Sequence, residues 1–511
     1  MGLPSGPHGV KTFVKAKCEE AWKEYASLKD ARVAQECSGE QTAVILDGNV
    51  LVRQVPQKAN TFDEYTSIFN KFVDSALHAG NVVVVVFDEP ALMTKAKAAE
   101  QAKRDAQAKR GAITMSADLA ESFAPTTDNY DYDVAISADP HEILRSRAAR
   151  PRMFDAICKH TMTTLMINSK AHAGKTLIFD GIDPRGASRP ADEMRDPCMY
   201  SNDDRAATLL TRPASAPIVA EGDLKITDVE SEIQHLRDTC KYFTSIELFL
   251  VCTIDTDSIG IELMHQSAKN EARAVSQHLE GERTPPRTLL CFRETPSRKR
   301  KEPGNNDNPF AEFSFDVTAG ATQRYAPATF ACFDVAELHN SIVKHLGAPS
   351  GFHRHATALL ASAWCLCGSD FVHLKGMRSD VAFESVADLC KSADATKLLK
   401  DVEATWELRR DTDPVTVAAV RNAMLGPIGH VVQSTRDRLK GMPRMGKSVA
   451  SINQVIEDRE ALRATLLKAA WCAVYWSGLQ IPNSELADWG FLLDSPFACA
   501  ASLAGSPVPP P

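Results

Sequence analysis

The chain has 511 residues, of which 44% are hydrophobic and 24% charged, and its formal net charge is -8. This is the composition of an ordinary soluble protein, long enough for two or three domains or for one large α/β domain with insertions and a helical appendage. No apolar run is long enough to predict a membrane span, and no N-terminal stretch resembles a signal peptide. We therefore expect an intracellular protein, cytoplasmic or nuclear.

The 13 cysteines are scattered along the chain, and the closest pair is Cys365 and Cys367. None of their spacings is that of a zinc site built from CxxC pairs. Several, such as Cys252 and Cys332, lie inside apolar runs. We therefore expect reduced thiols that pack as small hydrophobic residues.

Apolar runs that end in an acidic residue recur along the chain, after a polar segment at 1–40 that is expected to be helical. The runs end at Asp47, Asp88, Asp180 and Asp255. Such strands, separated by helical segments, predict an α/β fold with a mainly parallel sheet and helices on both faces. The carboxyl ends of its strands would share one edge, where ligands bind.

Helical and irregular segments complete the pattern. Helices are predicted at 61–79, 93–110, 151–168, 335–345 and 355–367. Polar stretches at 111–140, 183–215 and 276–312 are expected to be inserted loops. We predict an α/β core at 1–380, a helical C-terminal region at 381–505 and a disordered tail at 506–511.

Seven acidic residues follow an apolar run or open a helix: Asp47, Asp88, Glu221, Asp223, Asp255, Asp257 and Asp370. Taken singly, each is more often a strand-end or helix cap than a functional group. Together they predict one acidic cluster at the carboxyl edge of the sheet. Asp255 and Asp257 would repel each other there unless a cation lay between them.

Oxygen ligands without histidine or cysteine select hard cations such as Mg²⁺ or Mn²⁺. A pair of these ions about 4 Å apart can hold the attacking and leaving oxygens in phosphodiester hydrolysis. The cluster therefore predicts a two-metal site. Seven carboxylates exceed the two that glycosidase-like or protease-like acid chemistry requires.

The helix predicted at 93–110 is rich in alanine and basic residues and follows Asp88 directly. Its spacing would let Lys95 and Arg104 reach back over the acids and bind substrate phosphates. The alternative is a solvated helix of alanine and charged residues that binds no ligand.

Five motifs, in this order, resemble those of the metal-dependent 5′ nucleases of PIN-like fold, which include flap endonucleases and the 5′→3′ exoribonucleases called Xrn. They are Leu46-Asp47-Gly48-Asn49, Phe87-Asp88, Glu221-Gly222-Asp223-Leu224-Lys225-Ile226, Asp255-Thr256-Asp257 and Gly368-Ser369-Asp370-Phe371. The likeness to Xrn is closer, because EGDLKI is similar to that family's EGEHKI, with Asp223 in place of the usual glutamate. The segment 467–478 also resembles an Xrn helix with a GLxWVxxYYxxG pattern.

The resemblance implies a PIN-like fold in which residues 1–380 form the nuclease core and all seven acids bind two Mg²⁺ or Mn²⁺ ions. It implies a 5′→3′ exonuclease, with single-stranded RNA as the expected substrate and DNA as the alternative. The residues that would bind the substrate phosphate are Lys95, Gln101, Lys103 and Arg104.

The sequence departs from the family in three places. The basic cluster after the second aspartate is thinned, and Val52 and Arg53 lie where the family has a base-stacking aromatic residue or histidine. The segment after Asp370 lacks the glycine-rich hairpin with which flap endonucleases grip duplex DNA. Two alternatives stay open: a flap-endonuclease-like DNA nuclease, and a nuclease-fold protein that binds nucleic acid or partners without cutting.

Two further features have less specific interpretations. The basic run Arg298-Lys299-Arg300-Lys301 resembles a nuclear localisation signal, but it equally fits a solvated loop. Trp471 and Tyr475, at helical spacing, are expected in the core rather than in a base-stacking site.

Overall fold

The computed structural model describes Leu3 and residues 9–54, 62–87, 149–167, 169–180, 198–201, 207–209, 222–238, 240–276, 284–294, 329–369, 371–403, 414–477 and 483–491. Four predicted segments lie outside these residues. They are the basic helix at 93–110, the loop at 111–140, the basic run at 298–301 and the tail at 506–511.

A nine-stranded mixed sheet in the order β1-β9-β8-β7-β2-β3-β4-β5-β6 forms the centre of the fold. Its strands are β1 Trp22–Tyr25, β2 Thr42–Asp47, β3 Val82–Val86, β4 Thr176–Asp180, β5 Cys198–Ser201, β6 Ala207–Leu209, β7 Leu248–Thr253, β8 Arg287–Glu294 and β9 Thr329–Asp334. The strands from β8 to β4 run parallel to one another, whereas β9 and β1 at one edge and β5 and β6 at the other are antiparallel. The α/β class is thus confirmed.

Central strands of this kind form because both faces of the sheet are covered. Every residue of β2, β3 and β4 is buried, and β7 is buried except at Cys252. A parallel strand between two helical layers reads as a continuous apolar run, and the valines of β3 are the clearest case. This is why the sequence pattern located these four strands.

The α-helices cover the sheet and extend beyond it. They are α1 Val10–Lys17, α2 Leu28–Val33, α3 Gly48–Gln54, α4 Phe62–Ala79, α5 Ala149–Thr161, α6 Gly222–Leu236, α7 Asp257–Ser276, α8 Val335–Leu346, α9 His353–Cys367, α10 Ser379–Lys391, α11 Ala395–Glu403, α12 Pro414–Lys440, α13 Gly446–Glu457 and α14 Arg459–Trp476. A π-helix, Met162–Ile167, continues α5, and two 3-10 helices span Glu19–Ala21 and Asn483–Trp489. In the part of the chain described here, no helix is long and apolar enough to cross a membrane.

Two hydrophobic cores lie on opposite faces of the sheet. One joins the odd-numbered residues of β2, such as Ile45, to buried residues of α6, α7, α9 and α14. The other joins the even-numbered residues, such as Val44, to α2, α4 and α5. Because alternate side chains of a strand point to opposite faces, the sheet itself separates the two cores.

Three expectations about local structure are corrected. The segment 1–40, expected to be helical, also contains β1, which pairs with β9. The predicted loop at 183–215 contains β5 and β6, and the predicted loop at 276–312 contains the largely buried strand β8. The short apolar run Leu289-Leu290-Cys291-Phe292 lies among polar residues, so the sequence pattern predicted a loop there. In the fold this run is buried between β7 and β9.

The C-terminal helices complete the core that contains α6 and α7. The ring of Trp476 at the end of α14 lies so close to Gly260 of α7 that a Cβ atom there would be 2.6 Å from Trp476 Cζ3. Trp471 and Tyr475 are buried and stacked, with ring centroids 4.6 Å apart, which confirms their expected place in the core. The described cysteines are free, and most of them are buried, as expected.

Candidate functional site

The strand register brings acidic residues to the carboxyl edge of the sheet. Asp47 at the end of β2 is paired in register with Val86, and Val86 is paired with Asp180 at the end of β4. Register partners in parallel strands point to the same face, so the two aspartates lie on one face about two strand spacings apart, or about 10 Å. Both are buried, at 6% and 2% exposure.

The loop after β7 adds two acids beside Asp47. Leu46 is paired with Cys252, so Thr253 is level with Asp47, and Asp255 and Asp257 follow just beyond this edge. The amide of Asp255 donates to Thr253 Oγ1 at 3.0 Å, which folds the chain back at the strand end. Asp257, 7% exposed, is the first residue of α7, where the helix dipole favours a negative charge.

The topology also places Asp223 near this edge. It is the second residue of α6, whose C-terminal end connects through 237–247 to the amino end of β7. A helix that leads into a parallel strand runs antiparallel to it, so α6 begins at the carboxyl edge of the sheet. Only the backbone position of Asp223 follows from this arrangement.

Asp47 has a local structural role as well as its place at the edge. Its Oδ1 accepts a hydrogen bond from the amide of Val50 at 3.1 Å, as in a helix cap for α3. A carboxylate can accept about four hydrogen bonds, so this contact is compatible with a metal ligand. The end of β2 therefore fixes the backbone of Asp47, and the hydrogen bond from the start of α3 fixes its carboxylate.

Leu3 lies against the loop that carries the two acids. Its backbone amide donates to Asp257 Oδ1, and its backbone carbonyl accepts from Thr256 Oγ1. The side chain is only 2% exposed and belongs to the core that contains α6 and α7. Burial of its side chain and two hydrogen bonds of its backbone thus fix Leu3 at the site and orient Asp257.

The end of α9 approaches the same place. Burial raises the pKa of Cys365 in α9 well above its ordinary value, and the neighbouring Cys472 and the negative charge of Asp257 add to this rise. After α9, Ser369 Oγ accepts from the amides of Phe371 and Val372 at 3.3 and 3.2 Å. The ring of Phe371 packs edge-on against Trp471 at 4.8 Å. The aromatic residues of α14 therefore hold Phe371, the last residue of the motif.

A buried ionic cluster connects α6 and α7 behind the edge. Glu230 Oε2 accepts from Lys269 Nζ and from Thr288 Oγ1, both at 2.9 Å. Burial, followed by the neighbouring charge of Glu230, raises the pKa of Glu262 well above its ordinary value. Burial and Lys269 lower the pKa of His265 well below its ordinary value. Burial thus favours the neutral forms of Glu262 and His265 beside the Glu230–Lys269 pair.

The predicted site is described only in part. Asp88, Glu221, Asp370 and all four predicted phosphate-binding residues, Lys95, Gln101, Lys103 and Arg104, lie outside the described residues. The structure places Asp47, Asp255 and Asp257 at the carboxyl edge of the sheet. It also places the start of α6 near this edge. Among described side chains, however, the acids of this edge do not place three ligand atoms within 4.8 Å of one another.

Asp180 is a candidate that the sequence analysis left out of the acidic set. In the sequence, Asp180 follows directly after an apolar run that predicts a strand, which is the same signal that selected Asp47 and Asp88. The missing information was the strand order, because β4 follows β3 in the sheet and its last residue is level with Asp47.

The described residues at this edge fit a hard cation by chemistry. Asp47, Asp180, Asp255 and Asp257 offer only oxygen ligands, the type that Mg²⁺ and Mn²⁺ prefer. Cys252 is on β7, but its even position directs the side chain to the opposite face. A complete ligand set also requires the acids that lie outside the described residues.

Comparison of the sequence with models of known protein families finds no match, and comparison with curated proteins finds none either. The chemistry and geometry of the chain's own residues are therefore the support for any function.

Proposed function

We propose that this chain is a divalent-metal-dependent 5′→3′ exonuclease of PIN-like fold that hydrolyses phosphodiester bonds, most similar to the Xrn exoribonucleases. The observation that carries the proposal is the register of β2, β3 and β4, which aligns Asp47 with Asp180, beside the Asp255-Thr256-Asp257 loop. Acids at the ends of two strands and in the loop after a third lie at the edge where α/β sheets bind ligands. The resemblance of the five ordered motifs adds the class of reaction.

In the proposed site, Asp47, Asp180, Asp255 and Asp257 would hold two Mg²⁺ or Mn²⁺ ions together with Asp88, Glu221, Asp223 and Asp370. Such ions supply a nucleophilic water at neutral pH and neutralise the charge that develops on the phosphate. The chain itself contributes rigidity. Asp47 is held by its strand and by the Val50 amide, and Asp257 by Leu3 and the start of α7.

Single-stranded RNA is the proposed substrate. The support comes from the likeness of Glu221–Ile226 and of α14 to Xrn motifs, and from the lack of a glycine-rich hairpin after Asp370. Lys95, Gln101, Lys103 and Arg104 would bind the substrate's terminal phosphate, because a nest of carboxylates repels phosphate unless cations are nearby.

A second candidate is a nuclease-fold protein that binds nucleic acid without cutting it. It is favoured by one specific observation, the local bonds of the acids. Asp47 accepts from Val50 and Asp257 accepts from Leu3, so each has a structural role that needs no metal ion. Against it stands the cost of gathering several carboxylates at one edge without a cation.

The two candidates, and the DNA alternative, are separated by product analysis with the full chain. The substrates are a 5′-phosphorylated single-stranded RNA, the same sequence as DNA and a forked DNA duplex, each labelled at either end. An exoribonuclease releases the 5′ nucleotide of the RNA first, in Mg²⁺ but not in chelator. Tight binding without cleavage would establish the second candidate, and preferential cleavage of the fork would establish a flap-type nuclease.

A further inference from the structure

A group of metal-binding side chains lies at the opposite end of the sheet from the acidic edge. Asp74 and His78 are one turn apart near the end of α4, and His172 lies in the turn before β4. Each offers a ligand atom within 4.8 Å of the other two. Within the described residues, no other group of three such side chains meets this distance.

The three side chains already interact with one another. His172 Nε2 lies 2.7 Å from Asp74 Oδ1, and His78 Nδ1 lies 3.9 Å from the same oxygen. The two imidazole rings meet edge to face, with centroids 5.2 Å apart and an interplanar angle of 78°. His172 is 1% exposed, whereas the side chains of Asp74 and His78 are 44% and 62% exposed. The group is therefore anchored on one side and open to solvent on the other.

The distance between His172 and Asp74 is close to that between two ligands of a zinc ion. A tetrahedral zinc ion with bonds of about 2.0 to 2.1 Å has ligand atoms about 3.3 Å apart. The separation of His172 Nε2 and Asp74 Oδ1, 2.7 Å, is about half an ångström shorter than that value. A shift of about half an ångström in this contact would give the zinc geometry, and the exposed side chain of His78 has the freedom to bring its Nε2 atom to the ion.

The hydrogen bond of His78 also suits a metal ligand. Its Nδ1 donates to the backbone carbonyl of Asp74 at 2.9 Å, which leaves the lone pair on Nε2. Metal-binding histidines commonly donate their other ring nitrogen to a carbonyl in this way, because the bond fixes the tautomer and the ring orientation.

We propose that Asp74, His78 and His172 form a zinc-binding site at the amino edge of the sheet, with the fourth position open to water or to an external ligand. Two imidazoles and one carboxylate form a donor set for zinc or another borderline transition-metal ion rather than for Mg²⁺. The ion would tie the end of α4 to the turn before β4.

Two neighbouring cations limit the affinity of this site. Lys175 Nζ donates to the carbonyl of Leu77, and Arg32 Nη1 donates to the carbonyl of Ala79 at 2.8 Å. Both cap the C-terminal end of α4, where the negative end of the helix dipole would otherwise attract a metal ion more strongly. Removal of the Lys175 charge is therefore expected to tighten zinc binding.

The site is independent of the proposed nuclease site. Asp74, His78 and His172 precede β3 and β4, whereas Asp47 and Asp180 end β2 and β4. The length of β4, five residues, separates the two ends by about 15 Å. Zinc binding at the amino edge can therefore succeed or fail whatever the outcome at the acidic edge.

The test is calorimetric titration of the chelator-treated full chain with zinc chloride, in the presence of excess Mg²⁺ to fill hard-cation sites. We expect one zinc ion per chain and a raised melting temperature, because an ion that binds only the folded state stabilises it. His172→Gln and Asp74→Asn should abolish binding, whereas Asp255→Asn at the acidic edge and His353→Gln, an exposed histidine on α9, should retain it.

A variant at an exposed position and a cobalt spectrum test the same assignment independently of the His172 variant. Because His172 is buried and its variant could misfold, His78→Gln at an exposed position tests the same site without a change in the core. Cobalt in place of zinc should give the visible absorption of a tetrahedral ion without a thiolate charge-transfer band, which excludes the cysteines. No zinc binding, or binding that survives in folded His78→Gln and Asp74→Asn variants, would overturn the proposal.

Discussion

The ring of Phe87 lies directly over the α-carbon of Gly48. A Cβ atom at position 48 would be 2.6 Å from Phe87 Cε1 and 2.7 Å from Cζ, closer than van der Waals contact allows. Phe87 is fully buried and packs against Phe154 at 4.9 Å, so its ring cannot move aside without disturbing the core. The contact joins the residue after Asp47 to the residue before Asp88, beside the paired ends of β2 and β3.

Gly48→Ala should therefore destabilise the fold and displace the acidic edge. Overpacking of a filled core costs about 1 to 3 kcal/mol, and we expect a loss of this size in the free energy of unfolding measured in urea. Gly429→Ala in α12 is the matched control, because its Cβ would meet Leu466 Cδ1 at an ordinary 3.6 Å. Equal stability of the two variants would contradict the contact.

Replacement of Leu3 tests whether this residue supports the site. Leu3→Ala removes a buried side chain, which commonly costs about 2 to 5 kcal/mol, and loosens the residue whose backbone amide binds Asp257. We expect lower stability in urea and, if the proposed function holds, lower metal-dependent activity. Val33→Ala, at a residue 58% exposed on α2, should change stability by less than about 0.5 kcal/mol.

The buried carboxyl group of Glu262 should make stability depend on pH. Its raised pKa means that, above the ordinary pKa of glutamate, the folded chain keeps a proton that the unfolded chain releases. Its contribution is therefore present at low pH and is lost as pH rises through the raised pKa. Urea unfolding at pH about 5 and about 8 should show a smaller decline for Glu262→Gln than for the parent chain. The exposed control Glu457→Gln should behave as the parent does.

His339 should have the opposite effect at acidic pH. Burial lowers the pKa of His339 from 6.5 to about 4. Below neutrality the unfolded chain therefore binds a proton at this residue, whereas the folded chain does not. The contribution of His339 to the free energy of unfolding is fully present above pH 6.5 and decreases as the pH approaches 4. At pH about 5 the decrease is about 2 kcal/mol.

His339→Asn keeps an acceptor for Asn270, which lies 3.2 Å from the Nδ1 atom of His339, and removes the titrating ring. The acid-induced loss of stability should therefore be smaller in this variant than in the exposed control His430→Asn. The same loss in both variants would show that His339 does not titrate as described.

The sequence predicted the central sheet because its physical cause is local. Strands β2, β3, β4 and β7 are buried on both faces, and each has an apolar run that stops at the sheet edge. The same reasoning located Asp47 and Asp255. It missed β8 and the edge strands β1, β5 and β6, whose runs are short or polar and which form only because a partner strand is already present.

The parts that were not predicted depend on contacts between distant segments. Asp180 became a candidate only when the strand order placed it level with Asp47. The contact between Leu3 and Asp257 spans 254 residues, and no periodicity signals it. Asp74 and His78 show helical spacing, but His172 is 98 residues from Asp74, so their proximity also required the fold.

The most direct test of the nuclease proposal is the rate of 5′-phosphorylated RNA hydrolysis by variants of the acidic edge. Asp47→Asn, Asp180→Asn and Asp255→Asn keep the size of the side chain but remove its charge, whereas the control Asp458→Asn changes the cap of α14. The account predicts Mg²⁺-dependent hydrolysis by the parent and the control, and a loss of at least about 100-fold in Asp255→Asn with its melting temperature retained. Hydrolysis that is unchanged in chelator or in Asp255→Asn, or no hydrolysis by the folded parent, would contradict it.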